Sequence, residues 1–242
     1  MASPFTPVTF LAGYIGDILT SFVKVSVDLA YTVCYVGTGV WVNENDQADD
    51  SCLSSYFLNR VVYALLSGLP LWFRFMQCLR RYRDTDARWP HLGNAFKYAF
   101  SYTVVLLGVF HPDFNSSSQW DAWRVIWLIC LILSTLYTFS WDVFMDWGLG
   151  DPNYQFLRRD LFFPRYFYYT AIFLDLFLRF AWSMTLIPAG RGTPFSPDVM
   201  YFITPGLVVM ELFRRTMWSW FRLEYEHLSN PQGFLRVSVI PL

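Results

Sequence analysis

The chain has none of the short motifs that mark soluble enzymes. There is no glycine loop ending in Gly-Lys-Ser/Thr, no Ser at a nucleophile elbow and no His-Glu-x-x-His pair. Its three histidines, His91, His111 and His227, stand on separate connections, so no metal centre is expected from them. No cofactor is implied and no covalent chemistry is expected. The net charge of −1 removes the basic surface that nucleic acid requires. MASPFTPVTF carries no basic n-region, so the first apolar helix is read as mature structure rather than a signal peptide. Repeats, low-complexity tracts and a second-domain linker are also missing, and residues 1–242 read as one domain.

What the 242 residues do have is apolar length: 55% are hydrophobic and 21% aromatic. A helix needs about 20 apolar residues to cross roughly 30 Å of hydrocarbon. Six candidate spans reach or approach that length, at about 10–40, 54–79, 92–110, 120–146, 165–188 and 199–221. The expected fold is an all-α, polytopic membrane bundle in contact with the lipid bilayer. Pro70 and Pro205 should kink or open the second and sixth helices. Segments 80–91 (Arg80, Arg81, Arg83, Arg88) and 147–165 (Arg158, Arg159, Arg165) are basic, whereas 42–53 and 111–119 hold no Lys or Arg. Positive charge favours the cytoplasm, which places both termini there. Cys34 and Cys52 flank the acidic outside loop, where either a disulfide or two free thiols would fit. Cys78 and Cys130 read as packed thiols, and Asn115 as a glycosylation acceptor too close to the membrane to be readily used.

Charges lie inside these spans. Lys24, Lys97, Arg179, Arg214 and Arg215 accompany Asp17, Asp28, Asp142, Asp146, Asp175 and Glu211. Unpaired at the bilayer centre, such residues cost roughly 3 kcal/mol each, so they are expected to converge. Asp142 and Asp146, four apart, would lie on one helical face and need a cation nearby. Lys24–Asp28, Asp175–Arg179 and Glu211 with Arg214 and Arg215 have intrahelical pairing distance, and mutual neutralisation is an alternative to a functional site. Lys97 could snorkel to the interface or, with Tyr98, face a cavity. Guanidinium forks match the oxygens of phosphate or sulfate, and neighbouring acids weaken binding enough to let an ion leave.

Longer motifs then point to a family. LPLWFRFMQCLRRYRDT (Leu69 to Thr85), WPHLGNAFKY (Trp89 to Tyr98), YTFSWDVFMDWGL (Tyr137 to Leu149), LRFAW (Leu178 to Trp182), ELFRRTMWSWFRLEYEHL (Glu211 to Leu228) and the terminal SVIPL occur in order. Together they resemble the EXS domain, the C-terminal membrane core of eukaryotic phosphate exporters related to the xenotropic and polytropic retrovirus receptor. The resemblance implies a helical bundle around an inorganic phosphate pathway. It implies a site drawn from Lys97, Tyr98, Asp142, Asp146, Arg179, Trp182, Glu211, Arg214 and Arg215, with Asp17 of GDILTSF as the acid of the first core helix. Val23 departs from the polar pattern expected beyond Asp17.

The family's N-terminal SPX domain, which senses inositol pyrophosphates, has no counterpart among these residues. Such regulation is expected to be absent or to come from a separate SPX-containing partner; a homodimer is a further candidate partner. Short members without SPX act in the Golgi, so plasma membrane and Golgi both remain open, as does retention or recycling there. The ends equally suit an isolated exporter domain, and a non-transporting scaffold held together by its charges is the other class of reading.

Overall fold

A computed structural model describes residues 6–39, 52, 55–110, 122–181 and 197–229. Seven α-helices make up the described architecture, without a named β-strand among those residues: α1 (Phe10–Leu19), α2 (Val23–Gly37), α3 (Tyr63–Thr85), α4 (His91–Phe110), α5 (Ala122–Trp141), α6 (Arg165–Arg179) and α7 (Pro197–Ser229). The chain divides into two compact units, Met1–Ser134 and Thr135–Leu242. The all-α expectation holds, but the helices differ from the six simple spans.

The first span is two helices meeting at a 61° bend. No proline or glycine stands at the break. Instead the Thr20 hydroxyl donates to the Asp17 carbonyl (2.7 Å), and Ser21 N–H and Phe22 N–H bond three residues back, to Ile18 O and Leu19 O. Local hydroxyl-to-backbone bonding of this kind competes with the α-helical ladder. The other end of α1 is capped by Thr9, whose hydroxyl accepts from Ala12 N–H (3.2 Å). Cys34, near the end of α2, forms a disulfide with Cys52. Asn115 and Trp182 lie outside the described residues.

A π-helical segment, Leu58–Val62, leads into α3, which passes Pro70 without interruption. Asp86, with φ of 52°, ends α3, and a cis Trp89–Pro90 bond precedes α4. The two helices pack closely: Cys78, Ala95 and Tyr98 form a buried cluster beneath Leu71, Phe75 and Leu79. In the same unit the Ser101 and Ser134 hydroxyls are bonded at 3.0 Å, and Trp127 Nε1 donates to Val104 O at 3.2 Å.

In the second unit, α5 ends in a π-helical segment, Asp142–Asp146. Together they form a continuous 25-residue helix with a mean hydropathy of 1.7 in its most apolar stretch. At 1.5 Å per residue it is about 37 Å long, enough to cross a bilayer. Among the described residues it is the single unbroken helix that meets that test, and α1 with α2 meets it if the bent pair counts as one span. The 33 residues of α7 give it a length of about 50 Å, well beyond the span expected over 199–221.

Burial runs opposite to that of a soluble protein. Asp17, Arg74, Lys97, Asp142, Arg158, Asp175, Arg214 and Glu224 are buried, whereas Leu29, Val33, Ile129, Leu133, Phe173, Phe177 and Val209 are more than half exposed. Water would penalise so much outward apolar surface, and hydrocarbon would not. The described helices carry these charges inward and many of their aliphatic and aromatic side chains outward.

Candidate functional site

Most of the charges predicted from sequence fall into two groups, one in each unit. In the first, the guanidinium of Arg74, on α3, holds Asp17 from α1. Its Nε lies 2.8 Å from Asp17 Oδ1 and its Nη2 donates to Oδ2 at 3.0 Å. Nε also donates to the Tyr98 hydroxyl (3.2 Å), and that hydroxyl donates to Asp17 Oδ1. Gln77 completes the set: its Oε1 accepts from Arg74 Nη1 at 2.5 Å, and its Nε2 donates to Ala12 O at 3.2 Å. Lys97 lies over the Tyr98 ring, 4.6 Å from its centroid. It is only 5% exposed, so the snorkelling alternative is set aside.

Glycine makes this approach possible. A Cβ on Gly16 would come within 2.4 Å of Arg74 Cδ and 3.0 Å of Gln77 Oε1. α1 therefore meets α3 at a point where only a hydrogen fits beside the arginine.

In the second group, α6 and α7 supply cations and acids to a shared buried centre. Asp175, fully buried, accepts from Arg179 Nε at 2.8 Å and from Arg214 Nη1 at 3.1 Å. Arg179 Nη2 also pairs with Asp142, and Arg214 Nη1 lies 3.9 Å from the same carboxylate. Glu211 closes the side of Arg214, with Oε2 on Nε at 2.8 Å and Oε1 on Nη2 at 2.6 Å. Two guanidinium groups thus face three carboxylates drawn from α6, α7 and the end of α5.

Asp142 and Asp146 do not share one cation. The α-helical spacing predicted that they would stack, but here Trp147 N–H bonds to Asp142 O, five residues back, at 2.9 Å. That π-helical turn widens the helix locally, and the two acids take different partners: Asp142 pairs with Arg179, while Asp146 lies 3.8 Å from Arg222. Arg222 is also 3.6 Å from Glu226. The two arginines of ELFRR separate in the same way. Arg214 enters the buried centre, and Arg215 lies over the Trp218 ring at 4.7 Å. Lys24 pairs with Asp28 along α2 with both side chains about half exposed, the neutralisation reading.

Sequence reasoning missed Arg74 and Gln77, although two polar side chains three apart in an apolar span were the available signal. It also missed a third cluster. Glu224 Oε1 accepts from Phe162 N–H (2.9 Å) and from the Tyr168 hydroxyl, and it pairs with Arg158. Arg158 donates onward to Trp147 O at 2.6 Å and Asp160 O at 3.0 Å. This cluster fastens the connection between α5 and α6 to α7. Among the described residues no group of His, Cys, Asp and Glu could hold a metal ion.

The EXS family model matches residues 1–228. The chain belongs to the EXS family. This EXS chain is 40% identical over 234 residues to "SPX and EXS domain-containing protein 1" of Dictyostelium discoideum, covering 94% of its own length and 24% of the relative's. It is 36% identical to the "Xenotropic and polytropic retrovirus receptor 1 homolog" of Danio rerio over 259 residues, 100% of the chain and 36% of the relative. To human "Solute carrier family 53 member 1" it is 35% identical over 254 residues, 99% of the chain and 36% of the relative. The EXS chain therefore spans about a quarter to a third of the length of these curated relatives.

Proposed function

We propose that this EXS chain moves inorganic phosphate across a membrane, out of the cytosol or back from the Golgi lumen, along a path lined by Lys97, Tyr98, Arg179, Arg214 and Arg215. Asp17, Asp142, Asp146 and Glu211 set the charge along it, and Trp182 of LRFAW contributes to its wall. The chain crosses the bilayer six times with both termini in the cytoplasm. Similarity of 99% of this chain to 36% of a solute carrier supports transport. The observation that carries the reading is the buried centre of Arg179 and Arg214. Guanidinium groups remain charged at every physiological pH, and their forks match tetrahedral oxyanions. Holding them in a low-dielectric interior is costly for a structure with no use for them.

A scaffold reading draws on the same ion pairs, because each of these two arginines already has carboxylate partners. Flux per correctly inserted molecule separates the two. Arg179→Gln and Arg214→Gln in sealed vesicles should lower phosphate flux steeply while insertion is retained. Lys at either position should rescue only in part, because a point charge cannot form the bidentate contact. A loss of abundance with unchanged flux per inserted molecule in both Gln variants would support the scaffold and reject transport through this site.

A further inference from the structure

We propose that Glu211 is an internal stand-in for the transported anion, occupying the Arg214 fork until an oxyanion displaces it. The inference rests on the reading above, that this centre binds an oxyanion in transit. Its two oxygens sit one each on Nε and Nη2 of Arg214, at 2.8 and 2.6 Å. That side-on bidentate contact is the one a phosphate would make. The partners of Arg214 are unequal. Asp175 is fully buried and also tied to Arg179, so it is fixed from two sides. Glu211 has a side chain 35% exposed, and it lies three residues before Arg214 on the same helix. A rotamer change in Glu211 uncovers the fork without moving α7.

The charge count favours exchange over simple addition. Asp142, Asp175 and Glu211 already outnumber Arg179 and Arg214, so an incoming dianion meets excess negative charge unless one carboxylate withdraws. Glu211 is the one with an exit. Once the anion leaves, the same carboxylate returns to the fork and assists release. Glu211 thus sets the affinity of the path by competing for Arg214, and is not itself a ligand of phosphate.

The test compares wild type, Glu211→Gln and Glu211→Asp in proteoliposomes loaded with radiolabelled inorganic phosphate. Gln removes the competing charge. KM for phosphate should fall about tenfold, the factor expected for losing a charge-assisted hydrogen-bonded competitor. Asp keeps the charge and the folding environment, but it is one methylene shorter and cannot span both nitrogens, so its KM should lie between the two. A KM in Glu211→Gln equal to or above wild type, at normal insertion, overturns the proposal, as does an identical KM in all three. If wild type moves no phosphate, the transport reading fails, and the exchange is then read from thermal unfolding in detergent against inorganic phosphate. Half-maximal stabilisation of Glu211→Gln at about tenfold lower phosphate upholds the stand-in. Equal midpoints, or no stabilisation of either protein, reject it.

Discussion

Replacing Arg74 by Met tests whether the first charged cluster is built as described. Met keeps much of the aliphatic bulk and removes the guanidinium that Asp17, Tyr98 and Gln77 share. Asp17 is 9% exposed, so its carboxylate would stay in the interior with its cation gone. Breaking a buried pair from one side costs about 3–5 kcal/mol. The Tyr98 hydroxyl still donates to Asp17, which places the expected loss near the lower end, about 3 kcal/mol. Thermal unfolding of the purified chain in detergent should then drop by on the order of 10 °C. Arg74→Met combined with Asp17→Asn removes both charges and should recover at least half of that loss. A single variant within about 1 kcal/mol of wild type, or a double variant no better than the single, would show that Asp17 does not depend on Arg74.

Three further outcomes are expected. A cysteine reporter at Ser117 should react with an impermeant reagent added outside and one at Thr85 should not; equal labelling rejects the six-span topology. Gly148 has a φ of 62° and leaves only 2.1 Å between a Cβ and Tyr225 Cε2, so Gly148→Ala should destabilise by several kcal/mol in thermal unfolding and be poorly tolerated. Cys34→Ser opens a crosslink between positions 18 apart and should cost about 3 kcal/mol, read as a lower unfolding temperature that reducing agent reproduces in the wild type.

Charge inside apolar segments was the legible part of the candidate site. Asp17, Lys97, Asp142, Asp175, Arg179 and Arg214 stand out wherever a lipid-facing helix should be bland, and all six are buried or nearly so. The partner of each charge was much less legible. Asp17 reaches Arg74 and Tyr98 across 57 and 81 positions, separations at which helical spacing says nothing. Arg74 itself precedes the run Arg80, Arg81, Arg83 and reads as an early member of it. The broken first helix was hidden for a different reason. Thr20, Ser21 and Phe22 contain no strong helix breaker, and the bend depends on a hydroxyl choosing the Asp17 carbonyl over solvent. Arg158, which Glu224 of α7 clamps, lay in a connection read only for its sign of charge.

A π-helical turn accommodates one residue more than the α-helix it interrupts, and the Asp142–Asp146 segment can be viewed as a one-residue insertion retained at the end of α5. Successive residues of an α-helix are set about 100° apart. Deleting Val143 alone would let the segment rewind as ordinary helix, with the bond from Trp147 N–H to Asp142 O becoming an i→i−4 bond, and everything beyond it would keep its phase relative to α5. Asp142 would keep its place beside Arg179, Asp146 would stay beside Arg222, and Trp147 would hold the position from which it donates to Trp218 O. The π turn thus takes up a single residue without changing the phase of the connection to α6. In this stretch the chain should tolerate the loss of one residue, whereas the same loss inside α5, with no such turn to take it up, should rotate everything beyond it by about 100°.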